Sequence, residues 1–88
     1  MPELSRFGGM IIYMLFRDTG QHSKPHVHVY YGEYEASIAI DGELLAGSLP
    51  HKQFKIITGW LAFHETEAYN AWNLAVKGEH FKKIEPMK

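Results

Sequence analysis

Cysteine is absent from the chain of 88 residues, which excludes disulfides and thiolate metal sites and leaves His, Asp and Glu as the side chains that could hold a metal. Long hydrophobic runs are absent too. The longest apolar stretch, Met10 to Phe16, falls far short of the about 20 residues that a membrane span needs, and of a signal core. No membrane partner is expected. The opening Met1-Pro2-Glu3-Leu4 carries an acid in place of a basic n-region, so a cytoplasmic location is expected. Neither sign of charge dominates: 9 Lys plus Arg stand against 10 Asp plus Glu, a net charge of -1, and such a field does not recruit nucleic acid. There is no phosphate loop, dinucleotide glycine pattern, internal repeat, low-complexity segment or linker.

What remains is an ordinary globular composition, with 45% hydrophobic and 14% aromatic residues, enough to fold without staples. The length sets one domain, 1-88, with one modest core. Charge is unevenly placed. Lys77, Lys82, Lys83 and Lys88 crowd the end of the chain, and Glu33, Glu35, Asp41 and Glu43 its middle. The basic tail could touch phosphates, but solvated terminal lysines are the simpler reading, so nucleic acid is the weakest partner class.

Met10-Ile11-Ile12-Tyr13-Met14-Leu15-Phe16 reads as a strand apolar on both faces, ended by Arg17-Asp18-Thr19-Gly20. In His26-Val27-His28-Val29-Tyr30-Tyr31, alternation sends the valines to one face and both imidazoles to the other. Gly32-Glu33 suits a two-residue type II′ hairpin. That turn pairs Tyr31 with Tyr34, Val29 with Ala36 and Val27 with Ile38 on the apolar side, and Tyr30 with Glu35 and His28 with Ser37 on the polar side. Asp41-Gly42 reads as a type I′ turn that sets Ile38 opposite Leu45 and places Leu44 beside Ala39 on the histidine face. That face is therefore partly apolar, which hints at a partner or a second copy.

Ser48-Leu49-Pro50 reads as a helix start with a capping hydroxyl. Phe54, Ile57 and Leu61, with Ile56, Trp60 and Phe63, form an apolar stripe that Tyr69, Trp72 and Val76 continue until Gly78. Periodicity leaves open one bent helix or two over 51 to 77; a break near His64 to Thr66 would fold both segments onto one sheet. Residues 81 to 86 could add an edge strand, ended by Pro86. The fold class expected is α+β: an antiparallel meander of about four strands followed by two C-terminal helices packed on one face, in two layers.

The candidate chemistry centres on His26 and His28, with His22 four residues upstream and Glu35 across the hairpin. His22, His26, His28 and Glu35 could form a mononuclear site for a divalent metal, Zn, Fe or Mn, because converging imidazoles with a carboxylate make an open-position ligand set. The bland alternative is a polar strand face that happens to use histidine. Gly20, His26-Val27-His28 and Glu33 also fit the order of the first cupin motif. The second cupin motif is missing after Gly47, and a helical C-terminal third does not suit a jelly roll. His64-Glu65 is not an HExxH site, since position 68 is Ala. Trp60 and Trp72 read as core; His51 and His80 read as surface residues at element boundaries. Ser5 and Ser37 have nothing that specifies a triad.

Met1-Pro2-Glu3-Leu4-Ser5-Arg6-Phe7, Pro25-His26-Val27-His28-Val29, Tyr31-Gly32-Glu33-Tyr34-Glu35-Ala36, Leu49-Pro50 and Lys82-Lys83-Ile84-Glu85-Pro86 together resemble the prokaryotic domain-of-unknown-function family 4160 along the whole chain. That family is usually written with two prolines and a phenylalanine around the histidines, where this chain has Lys24-Pro25 and Val27. Both imidazoles are kept. The family has no established activity and no assigned catalytic residues, so the resemblance carries none over. It implies a short stand-alone protein, often encoded beside another small protein in an arrangement like paired toxin-antitoxin or regulatory genes. Two functional classes follow: a non-enzymatic regulatory or protein-binding module acting through a protein partner or a homodimer, and a metal-binding sensor or metal-dependent enzyme built on the histidine cluster.

Overall fold

A computed structural model describes residues 3–14 and 24–87. Five strands, β1 (Glu3–Phe7), β2 (Met10–Tyr13), β3 (His26–Tyr31), β4 (Tyr34–Ala39) and β5 (Leu44–Gly47), are followed by α1 (His51–Phe63) and α2 (Glu65–Val76). The strands form one antiparallel meander in the order β1-β2-β3-β4-β5. One strand more than expected is present. It is β1, joined to β2 through Gly8-Gly9, whose φ values of 58° and 77° are those of the mirror-image turn that matches strand twist. A register shift between Glu3 and Ser5 lets the consecutive residues Leu4 and Ser5 both be buried, as a bulge does when it puts two residues opposite one.

The β3–β4 hairpin has the expected register, with Val27 opposite Ile38, His28 opposite Ser37 and Tyr30 opposite Glu35. The β4–β5 connection differs from expectation. The Gly42 amide donates to the Ala39 carbonyl at 2.8 Å and the Ala39 amide to the Glu43 carbonyl at 2.7 Å. Gly42 has a positive φ, while no described non-glycine residue does. A type I′ turn would need Asp41 there as well. The loop is therefore one residue longer, and Ile38 pairs with Leu44 instead of Leu45.

One core cluster joins Leu4, Met10, Ile12, Val27, Val29 and Ile38 of the sheet to Ile57, Trp60, Leu61, Ala68, Ala71 and Trp72 of the helices. Both helices thus share one core with the valine side of β3, and the Trp72 indole of α2 also reaches the His26 ring, 5.0 Å away. α1 is capped by Pro50 with no side-chain bond. The expected Ser48 hydroxyl cap is not formed, because the cap position falls two residues later, at Pro50; the Ser48 amide instead donates to the Glu35 carbonyl at 3.0 Å. The helical region breaks at His64, with φ -107° and ψ 28°. The His64 amide closes α1 on the Trp60 carbonyl and its own carbonyl accepts from Ala68, both at 2.9 Å. Phe63, expected in the apolar stripe, is 84% exposed, since the stripe rotates away where the helix ends.

After α2, residues 79–87 run beside β1 without forming a strand. The Ile84 amide donates to the Leu4 carbonyl at 2.9 Å and the Trp60 indole N–H to the Glu85 carbonyl at 2.9 Å. This tail covers the outer edge of β1 and leaves β5 at the opposite end of the sheet.

Candidate functional site on the histidine face

Alternation along β3 sets Val27 and Val29 into the core, both 0% exposed, and turns His26, His28 and Tyr30 to the other face. β2 brings Tyr13 opposite His28 and Ile11 opposite Tyr30, and β4 brings Ser37 and Glu35 alongside. Tyr13 and Tyr30 meet edge to face with centroids 5.4 Å apart, a favoured aromatic geometry. The sequence reading missed Tyr13 as a neighbour of His28. Its position in an Ile11-Ile12-Tyr13 alternation was the available signal, masked by the greasiness of the whole run.

The two histidines differ in environment. His26 is 0% exposed, with its ring 5.0 Å from the Trp72 indole and 5.2 Å from the His28 ring. Its Nδ1 lies 2.7 Å from the Lys24 carbonyl. A carbonyl only accepts, so Nδ1 carries the proton and donates it there. His28 is half-buried, and its Nδ1 stands 3.4 Å from Ser37 Oγ, at the long limit of a hydrogen bond. His28, Tyr30, Glu35, Ser37, Ala46 and Gly47 line a shallow groove of about 350 Å³. Glu35 and His28 therefore share one concavity, while His26 lies inward under Trp72. His22 lies outside the described residues. Among the described residues, no group of three or more His, Asp or Glu is placed to hold a metal ion.

Lys24 organises one border of this face. Its ammonium bonds Asp41 Oδ2 at 2.7 Å and Glu43, and the neighbouring Pro25 carbonyl accepts from the Ile40 amide at 3.0 Å. The start of β3 is thereby clamped to the β4–β5 loop. The hydrogen bond to Asp41, then that to Glu43, holds the Lys24 ammonium above its ordinary pKa, and the same bond from Lys24 holds the Asp41 carboxyl below its own. All three side chains are substantially exposed, so solvent screens the attraction. Separate from this face, His64 Nδ1 lies 2.6 Å from Glu67 Oε1 at the helix joint. His51 begins α1 and His80 lies in the tail, both exposed.

These features define a class: a small α+β domain whose meander sheet shares a core with two helices and bears a histidine- and tyrosine-lined face, closed over His26 by Trp72 and open at His28 and Tyr30. Residues 9–73 match the model of the family described as Domain of unknown function (DUF4160), and the chain belongs to that family. No curated protein and no solved structure matches it. Among the described residues no helix is long and apolar enough to cross a membrane.

Proposed function

We propose that this chain is a non-enzymatic protein-binding module, a regulatory component of the kind encoded in toxin-antitoxin-like gene pairs, which engages a protein partner or a second copy through the β5 side of its sheet. The observation that carries this reading is the edge position of β5. Its outer side meets no further strand among the described residues, and Leu44 is 44% exposed. An edge strand offers a row of backbone donors and acceptors to an added strand. The adjoining groove, with Tyr30, His28 and Glu35, supplies side-chain contacts that would select the partner.

The test is affinity purification from native lysate with tagged wild-type chain and with Leu44→Lys, since a lysine on an edge opposes strand addition. Wild type should recover a stoichiometric partner or a self-dimer, and Leu44→Lys should lose it with an unchanged circular dichroism spectrum. Recovery of neither, or equal recovery by both chains, removes the reading.

A second reading is a metal sensor or metal-dependent enzyme using His22, His26, His28 and Glu35 with Zn, Fe or Mn. One observation favours it: the Lys24 carbonyl at 2.7 Å fixes the His26 tautomer through Nδ1, as outer partners of metal-bound imidazoles do. Elemental analysis of untagged protein, with imidazole NMR signals followed during metal titration, tests it. No binding at micromolar metal disposes of it.

A further inference from the structure

We propose that residues 79–87 are an exchangeable arm, and that the place they occupy beside β1 accepts the same arm from a second copy of this chain. This surface lies at the opposite end of the sheet from β5 and does not depend on the reading above. The arm begins at a defined hinge. The Gly78 amide donates to the Ala75 carbonyl at 3.0 Å and the Glu79 amide to the Leu74 carbonyl at 2.9 Å, with Gly78 at φ 74°. This pair of bonds is a Schellman motif, which turns the chain back at the end of α2.

Beyond the hinge the arm is held at few points. Ile84 is 4% exposed and its amide bonds Leu4; the Trp60 indole holds the Glu85 carbonyl; Lys83 Nζ stands 3.7 Å from the Glu3 carboxylate. Open grooves flank it. One, of about 590 Å³, reaches Met14 and Ala75, and the other, of about 350 Å³, reaches Ala71 and Leu74. Phe81, Lys82 and Lys83 line both. The arm is thus seated like a bound peptide, by the Ile84 anchor, the partly buried Phe81 ring and two hydrogen bonds to its main chain, in contrast to the continuous ladder between β3 and β4.

The occupant is set by these contacts. They require an aliphatic side chain for the Ile84 site, a cation one residue before it for Glu3, and a carbonyl one residue after it for the indole. Every copy of the chain carries that segment in that order. Closed and exchanged forms make the same contacts and differ at the hinge, so concentration decides between them. The closed form alone needs Gly78 in the left-handed region. A side chain there weights the balance toward exchange by about fivefold to thirtyfold.

The absence of native cysteine allows a direct test. Full-length Glu3→Cys chain is mixed with full-length Lys83→Cys chain and treated with a short bis-maleimide. Mixed covalent dimer should exceed the random yield, rise with protein concentration, and increase about fivefold or more when Gly78→Ala is added to the Lys83→Cys chain. Ile84→Asp in that same chain should abolish the excess, and Trp60→Phe in the Glu3→Cys chain, a milder change, should reduce it severalfold. Leu44→Lys should leave it unchanged, which separates this surface from β5. Mixed dimer at the random yield, or a yield indifferent to Gly78→Ala and to both anchor variants, overturns the proposal.

Discussion

Gly47 and Gly78 share a left-handed φ, 75° and 74°, so alanine meets a similar intrinsic penalty at either, about 1–2 kcal/mol. Their surroundings differ. Nothing lies within 4 Å of a Cβ built on Gly78, whereas one built on Gly47 falls 2.2 Å from the Glu35 carbonyl oxygen and 2.9 Å from the Ala36 Cα. Ordinary carbon–oxygen contacts lie at about 3.3–3.6 Å, so β5 must move away from β4. That movement strains the bond from the Ser48 amide to the Glu35 carbonyl, 3.0 Å long, and the pairing beside it, at about 0.5–1.5 kcal/mol per bond lost. Gly78→Ala should therefore cost about 1–2 kcal/mol and Gly47→Ala about 2–5 kcal/mol. Urea denaturation at low protein concentration measures both, and dilution keeps arm exchange out of the comparison. Amide exchange adds the location: protection should fall at Ala46 and Ser48 in Gly47→Ala alone, since an edge strand can detach before the core opens. Equal destabilisation by the two alanines would refute the reasoning, because the close approach at Gly47 would then have no energetic consequence.

His26→Ala should cost about 3–5 kcal/mol in metal-free buffer, having removed a fully buried ring from beside Trp72 together with its bond to the Lys24 carbonyl. His28→Ala, at a half-buried position, should cost about 1 kcal/mol; small and equal losses confined to metal-loaded protein would mark both as ligands instead. Ser5 is 3% exposed, and its hydroxyl has no hydrogen-bond partner among the described residues, so Ser5→Ala should be neutral or stabilising by up to about 1 kcal/mol; a clear loss in denaturation midpoint would contradict this. For pH, Glu3 is held below its ordinary pKa chiefly by the hydrogen bond from Arg6, and Asp41 chiefly by that from Lys24. Groups lowered on folding stabilise above their unfolded pKa, and that stability is lost as pH falls through the folded value. Lys24, raised on folding, works in the other direction: its contribution is complete below the ordinary lysine value and is lost as pH rises past it. Thermal midpoints should therefore fall below about pH 4 and again above about pH 10, less steeply in high salt because these groups are exposed. Asp41→Asn should flatten part of the acid limb, and an unchanged profile would discount the clamp.

The hairpin from His26 to Ala39 was legible because turn and alternation agree there: Gly32-Glu33 demands one register, and that register puts every apolar pair on one side. The helical stretch was legible from spacing, which left one bent helix or two open with a break near His64 to Thr66; the structure has two, joined at His64. β1 was not read, although Gly8-Gly9 between short alternating segments is a hairpin signal; five residues with an inserted bulge keep too little period for pattern alone. The β4–β5 register failed next to the turn, where Ile38 pairs with Leu44, although past the shift at Ser37 the pairs Ser37 with Ala46 and Ala36 with Gly47 keep the expected one. Asp41-Gly42 fits a two-residue mirror turn or a longer loop with glycine as the bulge, and the burial of Ile40 with its amide bonded to the Pro25 carbonyl selects the second. That choice is tertiary, made by the chain that precedes β3.

The histidine pair marks the same limit at the level of the site. Spacing by two requires His26 and His28 to share a face, and their rings are neighbours there. It cannot say that one end of that face lies beneath Trp72, a residue 46 positions away from His26 along the chain. The consequence is a division of labour. His26, enclosed and tied to the Lys24 carbonyl, fixes the start of β3 together with the Lys24, Asp41 and Glu43 clamp. His28, beside Ser37 and open to the groove with Tyr30 and Glu35, is the imidazole that a partner would meet on the proposed reading. Replacing His28 should therefore weaken recognition more than stability, and replacing His26 should do the reverse.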